Sequence, residues 1–429
     1  MGERKTTRVR ASVPATADTG GQSKASQAAG RAENRAARRA ASIAPFVNLP
    51  PYQTVALVLQ GGGALGAYQA GVYEGLHEAG VLPNWIAGIS IGAINTAIIA
   101  GNAPEHRVAK LRAFWDTVCQ PAYGLPLPPA VEHAFFDSST PVRTAFTAMQ
   151  ALGAIVDGQK GFFVPRMPPP LPFISGTPGT ASWYDTAPLK STLERLCDFD
   201  RINSGETRVS VAAVNVGTGN FAYFDNQHTK LRAEHFMASG SLPPGFAATE
   251  IEGEYYWDGG LMSNTPLSEV IQATPRRDTL AFQVDLWSAR GPVPTNLTDV
   301  QGRMKDIQYS SRTRMVTDMM QHSQRFRHVL REVLARVAPE HRSDPWCKLA
   351  EELSSSHRYN VFQLIYRDKE FDGNYKDYQF GASSMNMHWN AGLNDIRESL
   401  SQPGWLDMPE NDAGFVTHDI HRDLRGTEK

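Results

Sequence analysis

The sequence predicts an α/β fold, a parallel sheet with helices on both faces, followed by a mainly helical C-terminal extension. Two short apolar runs, Val55–Leu59 and Trp85–Ile89, are typical of buried parallel strands. A helical pattern follows each run, over Gly66–Ala79 and then from Gly92 to about Ala100. Because this strand–helix–strand–helix order joins parallel strands through right-handed crossovers, it predicts an α/β core.

Later segments continue the pattern. Val209–Val216 and Thr279–Leu286 are predicted as two further strands, and Val361–Tyr366 as a strand of the C-terminal region. Residues 303–337 and about 383–400 are predicted helices. The longer helix carries an apolar stripe, for which core packing is favoured over a lipid-binding face. The stripe consists of Met304, Ile307, Met315, Met319 and Val329.

The composition is globular and excludes a wholly disordered, collagenous or coiled-coil chain. The 429 residues are 41% hydrophobic and carry a net charge of −2, so the average charge gives no sign of nucleic-acid binding. Residues 1–45 hold nine Lys or Arg and three acids, a balance of +6 that leaves −8 for residues 46–429. We expect this segment to be a disordered basic tail, with attraction to anionic membrane or nucleic acid as the less favoured role.

The interval 121–180 interrupts the α/β pattern. It holds 11 of the 28 prolines, together with the pairs Phe135-Phe136 and Phe162-Phe163. Such segments are often lids or substrate-facing loops, and an ordered surface insertion is an equally good interpretation. The predicted organisation is therefore a tail at 1–45, a core domain at 50–290 that contains this insertion, and an extension at 291–429.

Cysteine usage and hydropathy give no indication of a metal centre or a membrane span. Cys119, Cys197 and Cys347 are far apart and no Cys-x-x-Cys pair occurs, which disfavours a zinc site or a disulfide framework. The first 45 residues lack the apolar segment of a secretory signal. The most apolar stretch, Ile86–Ala100, has 15 residues, too few to span a bilayer. We expect a cytoplasmic protein, peripheral to the membrane at most.

The first motif that carries chemistry is the glycine-rich run Gly61–Gly66, which follows a predicted strand and opens a helix. It matches the dinucleotide fingerprint G-x-G-x-x-G, which needs an acidic residue about 20 residues further on to hold a ribose. No Asp or Glu lies between Ala79 and Ala103, so a nucleotide-binding oxidoreductase is disfavoured. A glycine turn before a helix also presents unpaired N–H groups, which suit an oxyanion hole.

The second motif is a G-x-S-x-G nucleophile elbow formed by Gly88, Ser90 and Gly92. In such an elbow a strand turns sharply into a helix and holds the serine hydroxyl exposed. The predicted strand before Ser90 and the helix after it provide this context. A serine hydroxyl is a weak nucleophile at neutral pH and needs a base.

Candidates for that base are an aspartate and three histidines. Asp258 ends the aromatic strand 255–257 and is followed by Gly259 and Gly260. This places a carboxylate on a tight turn at a strand end, where functional groups gather in open α/β sheets. The histidines, which lie in no recognisable motif, are His322, His328 and His388.

Together, the three motifs resemble those of the patatin-like phospholipases over about residues 55–290. The resemblance extends to residues around the third motif, namely Ala238, Ser239, Pro243, Phe246, Asn264, Thr265 and Pro266. It implies a Ser–Asp dyad in which Ser90 attacks an ester carbonyl and Asp258 acts as general base and then as general acid. The amides of Gly61, Gly62 and Gly63 would form the oxyanion hole, and no metal or cofactor is required.

The sequence departs from the family at Leu65, where patatins commonly carry Arg or Lys. This difference bears on head-group preference and on the charge near the site. The extension after residue 290 resembles one found in a bacterial subgroup of the family, and the resemblance implies no role for it.

The resemblance implies a serine acyl hydrolase that cleaves carboxylic esters of lipids, of the phospholipase A type, through an acyl-enzyme. A catalytically weak scaffold or regulator and a hydrolase of hydroxyacid or polyester esters are the alternatives. The expected partners are an acyl-ester substrate and a transient membrane surface, with no nucleic acid. The motifs encode neither head group, acyl chain length nor oligomeric state.

Overall fold

The computed structural model describes residues 47–171, 173, 175–367, 373, 375–410 and 414–423. These described residues form one compact unit. The predicted basic tail at 1–45 lies outside the described residues.

Strands over the described residues are β1 (Thr54–Leu59), β2 (Trp85–Gly88), β3 (Val164–Pro165), β4 (Tyr184–Asp185), β5 (Arg208–Asn215), β6 (Phe221–Asp225), β7 (Thr249–Ile251), β8 (Glu254–Asp258), β9 (Thr279–Asp285), β10 (Tyr359–Ile365) and β11 (Phe415–His418). The main sheet runs in the order β11-β10-β9-β1-β2-β5-β8-β7, and β6 also pairs with β5. From β11 to β5 every pairing is parallel, whereas β6 and β8 are antiparallel to β5. The predicted, mostly parallel sheet is confirmed.

The helices are α1 (Ala67–Glu78), α2 (Ile91–Ala100), α3 (Pro104–Val118), α4 (Pro129–Phe136), α5 (Thr140–Asp157), α6 (Ala187–Leu196), α7 (Phe199–Asn203), α8 (Ala233–Ser239), α9 (Leu267–Gln272), α10 (Leu297–Ala335), α11 (Pro345–Leu353), α12 (Ala382–Leu400) and α13 (Ile420–Asp423). Short 3-10 helices lie at Gly63–Gly66, Gly259–Leu261, Pro339–His341 and Lys376–Tyr378. The predicted helical character of the C-terminal region is confirmed.

Strand β1 shows why helices cover both faces of the sheet. Successive side chains of a strand point to opposite faces, and Leu57 and Leu59 belong to a different core cluster from Ala56 and Val58. Buried residues of α1, α2 and α12 share the first cluster, and those of α9 and α10 share the second. All of β1 is buried, which is why its sequence is continuously apolar.

The C-terminal region extends the central sheet. Strand β10 pairs in parallel with β9 along seven residues, and β11 pairs in parallel with β10. Helix α12 crosses α1 at close range, where a Cβ on Gly71 would collide with the carbonyl of Trp389 and a Cβ on Gly392 with that of Tyr68. The predicted extension therefore shares both a sheet and a helix crossing with the predicted core domain.

The long helix α10 packs through a different side from the one predicted. The stripe assigned to core packing is exposed: Met304 is 60% exposed and Met315 is 66% exposed. The side that faces the protein mixes polar residues, including buried Asp306 and Gln324, with buried Met320. The core-packing prediction was wrong because apolar spacing identifies an amphipathic helix but not the direction in which its apolar face points.

The proline-rich interval contains two helices, α4 and α5, and one short strand. Phe162 and Phe163 near its end are buried, whereas Leu125 and Met167 are 95% and 81% exposed. Thus one end of the interval enters the core and other parts face solvent. Over the described residues, no helix combines the length and apolar character needed to cross a membrane.

Candidate active site

One pocket gathers the three motifs found in the sequence. Its empty volume is about 910 Å³. The predicted site residues that line it are Gly61, Gly62, Gly63, Ser90, Asp258 and Gly260. These residues come from three loops at the ends of β1, β2 and β8, so the sheet brings together positions that lie nearly 200 residues apart in the chain.

The other predicted motif glycines permit close packing behind the pocket. A Cβ on Gly92 would collide with the Leu59 carbonyl, and one on Gly88 with the Gly92 carbonyl. A Cβ on Gly259 would lie 2.7 Å from the Ala212 carbonyl oxygen, and one on Gly66 would lie 2.5 Å from a side-chain carbon of Ile91. Glycine is therefore needed at these positions for close packing, against backbone at three of them and against the Ile91 side chain at Gly66.

Ser90 lies on a sharp turn between β2 and α2. Its φ is 57° and its ψ is −126°, a region that non-glycine residues rarely adopt and that carries strain. Its amide N–H donates to the carbonyl oxygen and to the hydroxyl oxygen of Ser239, each at 3.1 Å. The strain and these bonds are features of a nucleophile elbow, and they hold the Ser90 side chain at the pocket.

Asp258 ends β8 and is 1% exposed. The Gly260 amide donates to its carboxylate at 2.7 Å, and its own amide donates to the Ser241 carbonyl at 3.0 Å. Burial raises the pKa of this carboxyl from 3.8 to about 7, against the lowering effect of hydrogen bonds from the Ser90 hydroxyl and the Gly260 amide. The Asp258 carboxyl therefore gains and loses its proton near neutral pH, beside the Ser90 hydroxyl.

The glycine turn presents backbone donors to the same pocket. The Gly61 amide donates to the Asn264 carbonyl at 3.3 Å, so it is already engaged. The amides of Gly62 and Gly63 find no acceptor within the described part of the chain. The same holds for the amide of Ile91, which follows Ser90 and also lines the pocket. Of the three predicted oxyanion donors, Gly62 and Gly63 are thus available, and Ile91 is a further donor that the sequence analysis did not name.

Side chains from distant segments hold the glycine turn in place. The Gly61 carbonyl accepts hydrogen bonds from Asn264 Nδ2 at 3.0 Å and from Trp287 Nε1 at 2.8 Å. Gln60 Oε1 accepts from the Leu286 amide at 2.5 Å, and Gln60 Nε2 donates to Thr265 at 3.0 Å. These bonds tie the ends of β1 and β9 together. Of these supporting residues, the sequence analysis pointed only to Asn264 and Thr265, through the family resemblance around the third motif.

A buried polar network also lies behind the turn. Gln69 Nε2 donates to the Gln60 carbonyl at 2.6 Å, and Asn95 Nδ2 donates to Gln69 Oε1 at 2.9 Å. Trp115 Nε1 donates to Asn95 Oδ1 at 3.2 Å. Such a network fixes one packing arrangement of α1, α2 and α3 against the site, and polar residues inside predicted helices were the only sequence signal for it.

The walls of the pocket are largely aromatic. Phe163 makes ring contacts with Tyr184 at 4.9 Å and with Phe246 at 5.2 Å between ring centroids. Phe162 contacts Phe380 at 6.0 Å. The pair Phe162-Phe163 thus gives the proline-rich interval a place in the site, and these apolar walls suit an acyl chain.

The C-terminal region completes the pocket with Tyr309, Asp377, Tyr378 and Phe380. The Asp377 carbonyl lies so close to Gly63 that a Cβ on this glycine would collide with it. The Asp377 carboxylate accepts hydrogen bonds from Lys305 Nζ at 2.9 Å to each oxygen. These residues carried no recognisable motif, so sequence analysis missed them.

Several expected or alternative features lie away from the pocket. Leu65, at the position where patatins commonly carry a basic residue, is fully buried in the core. No Lys, Arg or His is found among the described residues that line the pocket. His388 is buried on α12 against Tyr366, and His322 is exposed on α10. A histidine base for Ser90 therefore has no support in the geometry.

Within the described residues, no group of three or more His, Cys, Asp or Glu side chains is placed to hold a metal ion. Cys119, Cys197 and Cys347 are unpaired thiols. The groups that the three motifs present in the pocket are a hydroxyl, a buried carboxyl and backbone amides.

The sequence profile of the patatin-like phospholipase family matches residues 57–271, half of the chain. A second profile, described as patatin phospholipase, matches residues 307–412. The chain belongs to the patatin-like phospholipase family. The second match covers the region that supplies Tyr309, Asp377, Tyr378 and Phe380 to the pocket.

Comparison with solved structures finds distant likenesses. VipD from Legionella pneumophila is 14% identical with a TM-score of 0.32, and the match covers 80% of this chain and 67% of that chain. Human GIVD cytosolic phospholipase A2 is 12% identical with a TM-score of 0.37, and the match covers 82% of this chain and 59% of the human chain. No curated protein shows significant sequence similarity to the chain.

Proposed function

We propose that this protein is a serine acyl hydrolase that cleaves carboxylic esters of lipids, of the phospholipase A type, with Ser90 as nucleophile and Asp258 as general base and acid. The observation that carries the proposal is the pairing of a strained, pocket-facing Ser90 with a fully buried Asp258 whose pKa is about 7. Membership of the patatin-like phospholipase family supports the substrate class.

In the first step, Ser90 Oγ attacks the ester carbonyl carbon and its proton passes to the Asp258 carboxylate. The carbonyl π electrons move onto oxygen, and the amides of Gly62 and Gly63 stabilise the resulting oxyanion. The C–O bond to the alcohol then breaks, and Asp258 returns the proton to the leaving alkoxide. The products of this step are a free alcohol and an acyl group on Ser90.

In the second step, water releases the acyl group by the same route in reverse order. Asp258 accepts a proton from water as the water oxygen attacks the acyl carbonyl, and the same two amides hold the second oxyanion. Collapse of this intermediate breaks the bond to Ser90 Oγ, which recovers its proton from Asp258. The products are a carboxylic acid and the free enzyme.

Burial explains how an aspartate can serve as this base. An aspartate near its ordinary pKa of about 4 has little affinity for a serine proton. Removing the Asp258 carboxylate from water raises its pKa to about 7, which brings its basicity closer to what concerted proton transfer needs. The Gly260 amide keeps one carboxylate oxygen in place while this transfer occurs.

The lining of the pocket supports an acyl substrate. The aromatic walls offer an apolar surface, and the acidic Asp377 is neutralised by Lys305 rather than presented alone. Phospholipid, neutral lipid and hydroxyacid oligomer all contain a carboxylic ester that fits the proposed chemistry.

Labelling and hydrolysis test the proposal directly. A fluorophosphonate probe should label the wild type and fail to label Ser90→Ala. Ser263→Ala serves as the matched control, because Ser263 lies near the site and does not line the pocket. Turnover should be measured on phosphatidylcholine, phosphatidylglycerol, triacylglycerol, a short-chain ester and a 3-hydroxybutyrate oligomer.

We expect Ser90→Ala to lose turnover on every cleaved substrate by roughly 10⁴-fold, because it removes the nucleophile. Labelling that persists in Ser90→Ala would refute the proposed nucleophile. A folded wild type that neither reacts with the probe nor cleaves any of these esters would favour a regulatory protein instead.

A further inference from the structure

Helix α10 exposes large apolar side chains at several places along its length. Nine of its large apolar side chains are 45–75% exposed: Leu297, Val300, Met304, Ile307, Met315, Met319, Phe326, Val329 and Val333. At 3.6 residues per turn, these nine positions fall within an arc of roughly 120°. We refer to this set as the α10 face.

The side of α10 that faces the protein mixes polar and apolar residues. Asp306, Ser310, Thr317 and Gln324 are buried there beside Met320, which belongs to a core cluster. The nine exposed apolar residues lie on the opposite side, within an arc that also holds the exposed polar residues Gln308, Asp318 and His322. Large exposed apolar side chains gathered on one side of a helix mark a site of interaction.

The charge around the α10 face favours an anionic partner. Residues 312–342 contain seven arginines and three acidic residues, a balance of +4 in a chain whose net charge is −2. Arg325 and Arg336 are exposed, and helical geometry places them along one edge of the apolar arc. A second copy of the chain would bring the same positive charge to the interface, whereas an anionic bilayer complements it.

The α10 face also begins beside the catalytic pocket. Tyr309 of α10 lines the pocket, and Lys305 of α10 pairs with the pocket residue Asp377. We propose that the α10 face docks the protein on an anionic lipid bilayer, with its apolar side chains among the acyl chains and its arginines at the head groups. The proposal extends the proposed lipid hydrolysis by naming the surface that meets the lipid.

The test measures binding to vesicles that the enzyme cannot cleave. Vesicles of ether-linked phosphatidylcholine and phosphatidylglycerol in equal parts are mixed with the full chain, and binding is measured by co-sedimentation. We expect the wild type and Ser90→Ala to bind equally, since docking needs no catalysis. The triple variant Met304→Gln, Met315→Gln, Phe326→Gln should bind at least about tenfold more weakly.

A matched control is available on another helix. Met149, Leu152 and Val156 of α5 are 57%, 58% and 64% exposed, and their helix has a single basic residue. Their replacement by Gln should leave vesicle binding at the wild-type level. Equal loss of binding in both triple variants, or in neither, would overturn the assignment to α10.

Charge and folding are tested separately. Arg325→Gln with Arg336→Gln should weaken binding by about tenfold or more on the anionic vesicles and have little effect with phosphatidylcholine alone. Turnover of a soluble short-chain ester should be unchanged in the α10 triple variant, which shows that it folds. One set of results would show that the proposal is wrong. The wild type would bind no vesicles and be a dimer by light scattering, whereas the triple variant would be a monomer that still turns over the soluble ester. The α10 face would then be a contact between two copies of the chain. This outcome leaves the proposed ester hydrolysis intact.

Discussion

Residues 57–271 and the region after residue 291 both line the candidate catalytic pocket, but they contribute different parts of it. The earlier region supplies the Ser90 hydroxyl, the buried carboxyl and the backbone donors, all framed by glycines. The later region supplies aromatic wall residues and the ion pair between Asp377 and Lys305. Residues that make and break bonds must be held in a fixed backbone geometry, which requires particular residues at particular spacings and so leaves a sequence motif. A pocket wall needs only a suitable shape and polarity, which many sequences provide.

This comparison predicts that mutations in the two regions have different effects on activity. Changes in the glycine-framed side should remove turnover on every substrate. Changes in the C-terminal wall should alter the preference among substrates and leave the chemistry in place. A C-terminal substitution that abolished all turnover in a folded protein would break this division.

The largest of the remaining effects is expected for Asp258→Asn. An amide cannot accept the Ser90 proton, so kcat/KM on a short-chain ester should fall by roughly 10³-fold. In the wild type, kcat/KM should rise with pH and level off above about 7, because the base form of Asp258 has a pKa of about 7. A pH–rate profile on the soluble ester checks both points, and full activity in the variant would point to a different base.

Gly63→Ala should be the next most damaging change. Gly63 has a φ of 57° and a Cβ there would collide with the Asp377 carbonyl, so the turn that presents the Gly62 and Gly63 amides must shift. Loss of oxyanion stabilisation should lower kcat by roughly 10²-fold with a smaller effect on KM. Gly153→Ala is the control, since a Cβ at that position meets nothing; equal kcat in the two variants would contradict the role of the turn.

A stability measurement probes the same carboxyl in another way. The pKa of Asp258 is raised in the folded state, so its contribution to stability is fully present below pH about 4 and is lost as pH rises through about 7. Asp258→Asn removes this loss and should increase the free energy of unfolding relative to wild type by on the order of 2 to 4 kcal/mol above pH 8. Denaturant unfolding at several pH values measures the difference.

Asp285→Asn provides the matched comparison for that measurement. Burial also raises the pKa of Asp285 to about 7, yet Asp285 does not line the catalytic pocket. Asp285→Asn should also increase the free energy of unfolding above pH 8, while ester turnover persists. A stability difference for Asp258→Asn that did not grow with pH would contradict the assignment of the buried charge.

The smallest effect is expected for Asp377→Asn in the C-terminal wall. The change removes a negative charge from the pocket and breaks the ion pair with Lys305. The ratio of kcat/KM for phosphatidylglycerol to that for a neutral ester should rise by about fivefold, with kcat on the neutral ester little altered. Glu206→Gln, which breaks an exposed ion pair with Arg201 away from both the pocket and α10, should leave the ratio unchanged.

Much of the fold was predictable because buried parallel strands and amphipathic helices have periodic sequences. The predicted strand Val55–Leu59 and the predicted helix that ends near Ala100 match β1 and α2 within one residue. The stripe on α10 shows the limit of such reasoning. Its spacing was read correctly as helical, but the direction in which it points depends on which side of the helix meets the sheet.

The site divides in the same way. The sequence by itself singled out Ser90 and the glycine turn, because a strained elbow and an exposed set of amides require particular residues at particular spacings. The preference for Asp258 over the three histidines came from the resemblance to the patatin-like phospholipases. Only the tertiary structure decided that Gly61 is engaged by Asn264 while Gly62 and Gly63 are available. It alone placed Asp377 against the oxyanion turn. These facts depend on contacts between distant segments, and such contacts arise from the packing of the whole chain and leave no local pattern.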